Sequence, residues 1–245
     1  AVRDLMQFLK DTGFGASHVA IFSAIGGPRE TRADATADEW DRPAPQHPVC
    51  AAVEVAGNGN VVPQASGLPD TLFETDGVMT KRPIRALTLS ALAPQPFEHL
   101  WDIGSGSGSI AVEWLLSHPG TRATCIEPRA DRIALIRSNA DRLGADRVTI
   151  VQGSAPQILS ELEAPDVVFI GGGLTKDLMD DVANLPAGTR IVANAVTLES
   201  QSLLEQAQAS WGGDLLRVDI SQSVPIGTKR GWKAAYPLIQ WSCVL

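Results

Sequence analysis

The sequence predicts an α/β protein built on a doubly wound sheet. Three observations carry this. From about residue 100, short apolar runs alternate with helix-periodic segments through five strands, and two further strand-like runs close the chain. A glycine loop, Gly104-Ser105-Gly106-Ser107-Gly108, lies between an apolar run and an apolar-periodic segment, the order of strand, tight turn and helix. Asp166 to Ile170 is almost continuously apolar, as a parallel strand covered on both faces requires.

Composition narrows the class. A chain of 245 residues suits one large domain, or one domain with an appendage, and 44% hydrophobic content is that of a globular protein. A net charge of −8 argues against broad nucleic-acid binding but leaves room for a local basic pocket. No apolar run approaches the roughly 20 residues of a membrane helix. No signal peptide is visible and the chain begins at Ala1, so a processed product or a fragment is expected. Cys50, Cys125 and Cys243 are odd in number and lack C-x-x-C spacing. His18, His47, His99 and His118 form no H-x-x-x-H pair. Together they point to a reducing, cytoplasmic setting and no metal site.

Taken in order, Val2 to Leu9 suits a short helix stopped by Gly13 and Gly15. His18 to Ile25 and Val49 to Val55 read as strands, separated by a polar stretch and by Pro43, Pro45 and Pro48. So few elements do not make a core of their own, which marks residues 1–66 as an α/β appendage ending in a glycine- and proline-rich linker. The second unit, 67–245, begins with a helix that Thr80 can cap and Pro83 can enter, with Ile84, Leu87, Thr88 and Ala91 on one face. Lys81, Arg82 and Arg85 cluster at its start, either as solvated surface charge or as an anion-binding mouth.

Leu100 to Ile103 is the first sheet strand and Ile110 to Leu116 the helix after the glycine loop. Ala123 to Glu127, Val148 to Val151, Asp166 to Ile170 and Arg190 to Ala193 are the next four strands. The helices between them are Arg129 to Leu143 and Leu174 to Leu185, and another follows Asn194-Ala-Val-Thr-Leu-Glu-Ser through Ala209. Leu215 to Ile220 and Tyr236 to Val244 close the sheet, and the segment between them reads as a loop carrying Lys229, Arg230 and Lys233 around Trp232.

A dinucleotide fingerprint needs G-x-G-x-x-G, and position 109 is Ser. The pattern here is D-x-G-x-G-x-G from Asp102, which resembles motif I of the Rossmann-like S-adenosylmethionine (SAM) dependent methyltransferases. Glu127 ends a strand 19 residues beyond Gly108, where a carboxylate can accept from both ribose hydroxyls; it could equally be an acid at a helix start beside Pro128. Gly153-Ser154-Ala155 follows the next strand, beside the adenine position. Gly171-Gly172-Gly173 at the fourth strand's end leaves space for a bulky acceptor, at a point where DNA amino-methyltransferases carry Asn/Asp-Pro-Pro-aromatic and catechol-type enzymes carry metal-binding acids.

The words GLPDTLFETDGVMTKRPIRALTLS, WDIGSGSGSIAVEW, IEPRADRIALIRSNADRLGADRVTIVQGSAP, DVVFIGGG and NAVTLES are similar to the C15-methylating, decarboxylating domain of the precorrin-6Y methyltransferases of cobalamin synthesis. FSAIGGPRET and PVCAAVEVAG resemble the end of the tetrapyrrole methylase domain that precedes it in the fused enzymes. The resemblance implies a class I methyltransferase fold with a seven-stranded sheet, SAM as methyl donor, and a homo-oligomer, a tetramer being one option. It implies an acidic tetrapyrrole acceptor, methylated at a ring carbon with loss of carbon dioxide from the C12 acetate. By motif, Thr80 borders the methionine end of SAM, residues 104–108 hold its methionine portion, Glu127 the ribose and Ala155 the adenine region. SAM has no phosphate, so the helix start after Gly108 would meet the methionine carboxylate.

Transfer from an activated sulfonium needs alignment rather than a protein nucleophile, and none is evident. The candidate cationic rim is Lys81, Arg82, Arg85, Lys229 and Arg230, with Gly171, Gly172 and Gly173 giving space. An RNA-directed methyltransferase on the same fold is the enzymatic alternative, and a non-catalytic SAM-binding scaffold the other.

Overall fold

The computed structural model describes residues 1–245. The chain forms two compact units, Ala1–Val62 and Pro63–Leu245.

The first unit has helix α1 (Val2–Asp11) and strands β1 (His18–Ser23), β2 (Thr31–Thr36) and β3 (Val49–Glu54). The strands form an antiparallel sheet in the order β2-β1-β3. Met6 and Leu9 of α1 pack on Val19 and Ile21 of β1 and on Ala37. The polar stretch between the two expected strands contains β2. Its residues, Thr-Arg-Ala-Asp-Ala-Thr, include no apolar side chain larger than alanine, so no hydrophobic alternation announces it. Backbone pairing to β1 makes it an edge strand, and Arg32 and Asp34, two residues apart and so on one face, pair at 2.7 Å.

The second unit opens with helix α2 (Arg82–Leu92) and strand β4 (His99–Ile103), followed by α3 (Ser109–Ser117) and β5 (Arg122–Glu127). Helix α4 (Ala130–Leu143) leads to β6 (Val148–Gln152) and β7 (Val167–Ile170), and α5 (Lys176–Val182) to β8 (Arg190–Ala195). Helix α6 (Leu198–Trp211) is followed by β9 (Asp214–Val218), β10 (Ser221–Ile226), β11 (Lys229–Ala234) and β12 (Leu238–Val244). The main sheet has seven strands in the order β6-β5-β4-β7-β8-β12-β9, with β12 antiparallel to both neighbours and β4–β8 parallel. The winding reverses between β4 and β7, and ligands enter such sheets at that point, outside the carboxyl ends of the strands. Buried residues including Trp101, Ile126, Val168, Ile170, Ile191 and Trp241 form the core.

Three expectations are corrected. The segment between the closing strands is not a loop: β10 and β11 form a two-stranded sheet of their own. Thr80 does not cap α2. Lys81 takes the N-cap position, and the Asp70 side chain, twelve residues upstream of Arg82, accepts that residue's backbone N–H at 3.0 Å. The buried face of α2 is Arg85, Thr88, Leu89 and Leu92 rather than 84/87/88/91, and Leu87 is exposed.

Candidate active site

A cavity of about 950 Å³ opens at the carboxyl ends of β4 through β8. Its inner wall is the glycine loop. Gly104, Gly106 and Gly108 all have positive φ, at 69°, 59° and 73°. Gly104 is also pressed against the turn after β7, where an added Cβ would lie 2.8 Å from the Gly172 carbonyl oxygen. Left-handed geometry and close approach together leave no room for a side chain there. Gly104, Ser105, Gly106 and Ser107 line the cavity, whereas Gly108 does not. Gly108 is the left-handed N-cap of α3, and a Cβ there would press on Ile136 of α4 at 3.0 Å.

Asp102 also lies outside the cavity lining. It is 1% exposed beneath the loop, and its Oδ2 accepts the Ala111 N–H at 3.2 Å, satisfying an orphan donor of the first turn of α3. Its Oδ1 has no partner. Burial pushes its carboxyl up to about 7, and the nearby Glu127 charge acts in the same direction.

Glu127 does reach the cavity. It is 2% exposed, with Oε2 accepting the Gly106 N–H at 2.9 Å and Oε1 accepting the Arg129 N–H at 3.1 Å. Each oxygen keeps a further lone pair, and the first bond ties the end of β5 to the middle of the glycine loop. Gly153, Ser154 and Ala155 lie alongside, after β6. Ser107 Oγ is buried without a hydrogen-bond partner in the lining at the start of α3. An unpaired hydroxyl beside free helix N–H groups suits a carboxylate.

The outer wall includes Val78, Met79, Thr80 and Lys81, from a strap that runs over the glycine loop. Two anchors hold it. Asn139 of α4 accepts the Glu74 N–H at 2.7 Å and donates to the Glu74 carbonyl at 2.9 Å, while Arg132 pairs with Asp76 at 2.9 Å. Arg85 supplies the second. It is fully buried, pairs with Glu113 at 2.6 Å and Asp70 at 2.9 Å, and donates to the carbonyls of Thr80 and Leu68. Its guanidinium also stacks 4.7 Å from the centre of the Phe73 ring.

The expected cationic rim is therefore redrawn. Lys81 lines the cavity. Arg82 is exposed outside it, and Arg85 is consumed by Glu113, Asp70 and backbone carbonyls. Lys229 sits at the closing pair of the β10–β11 hairpin, and Arg230 bonds Ser223 at 2.8 Å; neither lines the cavity. Lys233, four residues beyond Lys229 on the same strand face, does, together with Tyr236. Gly171, Gly172 and Gly173 form part of the floor with Phe169. Arg129, Arg132, Asn194 and Val196 also line the cavity, and sequence reasoning missed them. The signal for Asn194 is its place at the head of the NAVTLES word, directly after the apolar run Arg190 to Ala193 and at the carboxyl end of β8.

A family model described as the precorrin methyltransferase domain matches residues 71–245. A precorrin-6Y C(5,15)-methyltransferase [decarboxylating] of Sinorhizobium sp is 45% identical over 98% of this chain and 59% of its own length. A probable cobalt-precorrin-6B C(15)-methyltransferase (decarboxylating) of Pyrobaculum calidifontis is 39% identical over 60% of this chain and 79% of its own. The solved C-terminal domain of precorrin-6Y C5,15-methyltransferase from Rhodobacter capsulatus superposes with a TM-score of 0.72 at 54% identity, covering 75% of this chain and 100% of that one. The chain thus spans about 59–61% of the length of the longer curated relatives it matches.

Proposed function

The chain belongs to the precorrin methyltransferase family, and from that premise we propose that it methylates C15 of precorrin-6Y from SAM, with loss of carbon dioxide from the C12 acetate. The observation that carries the reading is the single cavity of about 950 Å³, which joins the glycine loop and Glu127 on one side to Gly171–Gly173, Lys233 and Tyr236 on the other. That volume is at the upper end of ligand pockets, enough for a donor and a large acceptor side by side.

The residues fit the donor. Glu127 offers free lone pairs to a diol, Ser107 Oγ and the start of α3 suit an amino-acid carboxylate, and Gly104 to Gly106 let backbone approach closely. When bound, SAM supplies an electrophilic methyl group on a sulfonium. The protein's task is then to hold the acceptor carbon in line with it and to exclude water. Lys81 and Lys233 are the proposed contacts for acidic arms of the acceptor, with Arg129 and Arg132 adding positive field although each faces Asp76. Such a local cationic rim on a chain of net charge −8 favours a small polyanion over a nucleic acid.

Residues 1–62 are read as the end of a tetrapyrrole methylase domain, supported by a match to the Sinorhizobium relative that runs through nearly the whole chain. No helix is long and apolar enough to cross a membrane, and the three cysteines are free; a cytoplasmic homo-oligomer is part of the proposal. The test is mass spectrometry of a precorrin-6Y-type acceptor incubated with SAM and the chain. One methyl gained with one carbon dioxide lost supports the reading; an unchanged acceptor mass rejects it.

A further inference from the structure

Asn194 stands three strands away from Glu127 in the sheet order β5-β4-β7-β8, and the fold holds its side chain firmly. It stands at the carboxyl end of β8, half-buried, in the cavity lining. Its amide is gripped from behind. Nδ2 donates to Thr88 Oγ1 at 2.9 Å, and Oδ1 accepts from Gln240 Nε2 at 2.9 Å. Gln240 also donates to Thr88 at 3.2 Å. Thr88 on α2 is fully buried, and Gln240 on β12 is 5% exposed. Two elements, α2 and β12, thus converge on one side chain of β8.

Burying polar groups between a helix and a sheet costs stability that apolar packing would not. What the arrangement achieves is orientation. An asparagine amide has two N–H donors and two acceptor lone pairs, and the clamp uses one of each. One N–H and one lone pair remain for the cavity. The surrounding floor is Phe169, Gly171–Gly173, Val196 and Leu238, which bring no charge. The cations Lys81, Arg129, Arg132 and Lys233 come instead from the strap, from α4 and the residue preceding it, and from the hairpin.

This placement has a chemical meaning, which rests on the function proposed above. Loss of carbon dioxide turns a localised carboxylate charge into electrons spread over the acceptor. A cation at that carboxylate would stabilise the starting state and oppose the step, whereas a neutral N–H can orient it at smaller cost. We infer that Asn194, clamped by Thr88 and Gln240, is the uncharged donor that orients a carboxylate arm of the acceptor on the β7–β8 floor, with Thr88 and Gln240 as its positioning residues.

The test uses the intact chain with S-adenosylhomocysteine calorimetry and acceptor kinetics at saturating SAM, on Asn194→Ala, Asn194→Ser and Gln240→Met. All three should bind S-adenosylhomocysteine within about twofold of the unaltered chain. Asn194→Ala should lower kcat/KM for the acceptor by about 10- to 100-fold, the loss of one hydrogen bond to a charged group. Gln240→Met should lose less, chiefly in KM, since it loosens the clamp and keeps the contact. Should Asn194→Ala fail to fold, Asn194→Ser, which leaves a small polar group facing the clamp, carries the same expectation. An alanine or serine variant within about threefold of the unaltered chain overturns the inference, as does a parallel loss of S-adenosylhomocysteine binding. Failure of the parent reading is distinct: the unaltered chain itself leaves the acceptor's mass unchanged.

Discussion

Asp102 and Glu127 lie at the carboxyl ends of adjacent strands, both buried, and the direction of each side chain gives them different work. Asp102 lies under the loop and holds α3; Glu127 faces the cavity and holds Gly106. The D-x-G-x-G-x-G spacing marks Asp102, and a strand-end place 19 residues beyond Gly108 marks Glu127, but neither says which side chain points into the site. The consequences for Asp102 are measurable. Its pKa rises from 3.8 to about 7 on folding, so between those values the folded state keeps a proton that the unfolded state has lost. Stability from this group is full below pH 3.8, falls as pH rises through that window, and is flat above it. The difference amounts to about 4 kcal/mol as an upper bound. Asp102→Asn should therefore flatten the decline in thermal midpoint between pH 5 and 8; two parallel pH profiles would contradict this. Glu127→Ala should weaken S-adenosylhomocysteine binding by about 1–3 kcal/mol through unpaired donors on the ligand and on Gly106. Calorimetry giving an unchanged Kd would reject the assigned contact.

Among the elements, the strap over residues 67–81 is the least legible in the sequence and the most consequential. Helix α2 carries apolar residues on two sides, Ile84 and Leu87 on one and Leu89 and Leu92 on the other, so its local period leaves two choices of buried face. The sheet decides between them, and its choice takes Arg85 inside. The one hint was Glu113, a lone acid in the otherwise uncharged run from Ser109 to Leu116, since an acid at such a position needs a partner. The central strands β4, β5, β7 and β8, buried along most of their length, were readable as apolar runs, while β2, half-buried but with no apolar side chain larger than alanine, and the mostly exposed β10–β11 hairpin were not. Arg85→Met strands Glu113 in the core and should cost about 3–5 kcal/mol in urea unfolding. Arg85→Met/Glu113→Gln should recover part of that, because the glutamine carries no charge and its one oxygen still accepts one of the Gly67 and Leu68 N–H groups, which now bond separate carboxylate oxygens. A surface cation would behave oppositely: the single variant would leave the unfolding midpoint in place.

For the molecule as a whole, the two units carry unequal shares of the function. The complete seven-stranded sheet and every residue lining the cavity, from Val78 to Leu238, lie within Pro63–Leu245. The Rhodobacter domain, whose full length is matched, is itself a solved structure without the preceding part. The first unit centres on five buried residues over 62 positions, a core too small to repay much chain entropy by itself. The glycine- and proline-rich run between the units, visible in the sequence, is where a protease should enter. Residues 63–245 should consequently be recovered as a stable fragment, melt within a few degrees of the intact chain, and bind S-adenosylhomocysteine with a Kd within about twofold. Residues 1–62 produced separately should show little cooperative unfolding. A 63–245 fragment that aggregates, or that binds more than about tenfold more weakly, would mean that the first unit supports the site, and the division of labour drawn from the two cores would have to be abandoned.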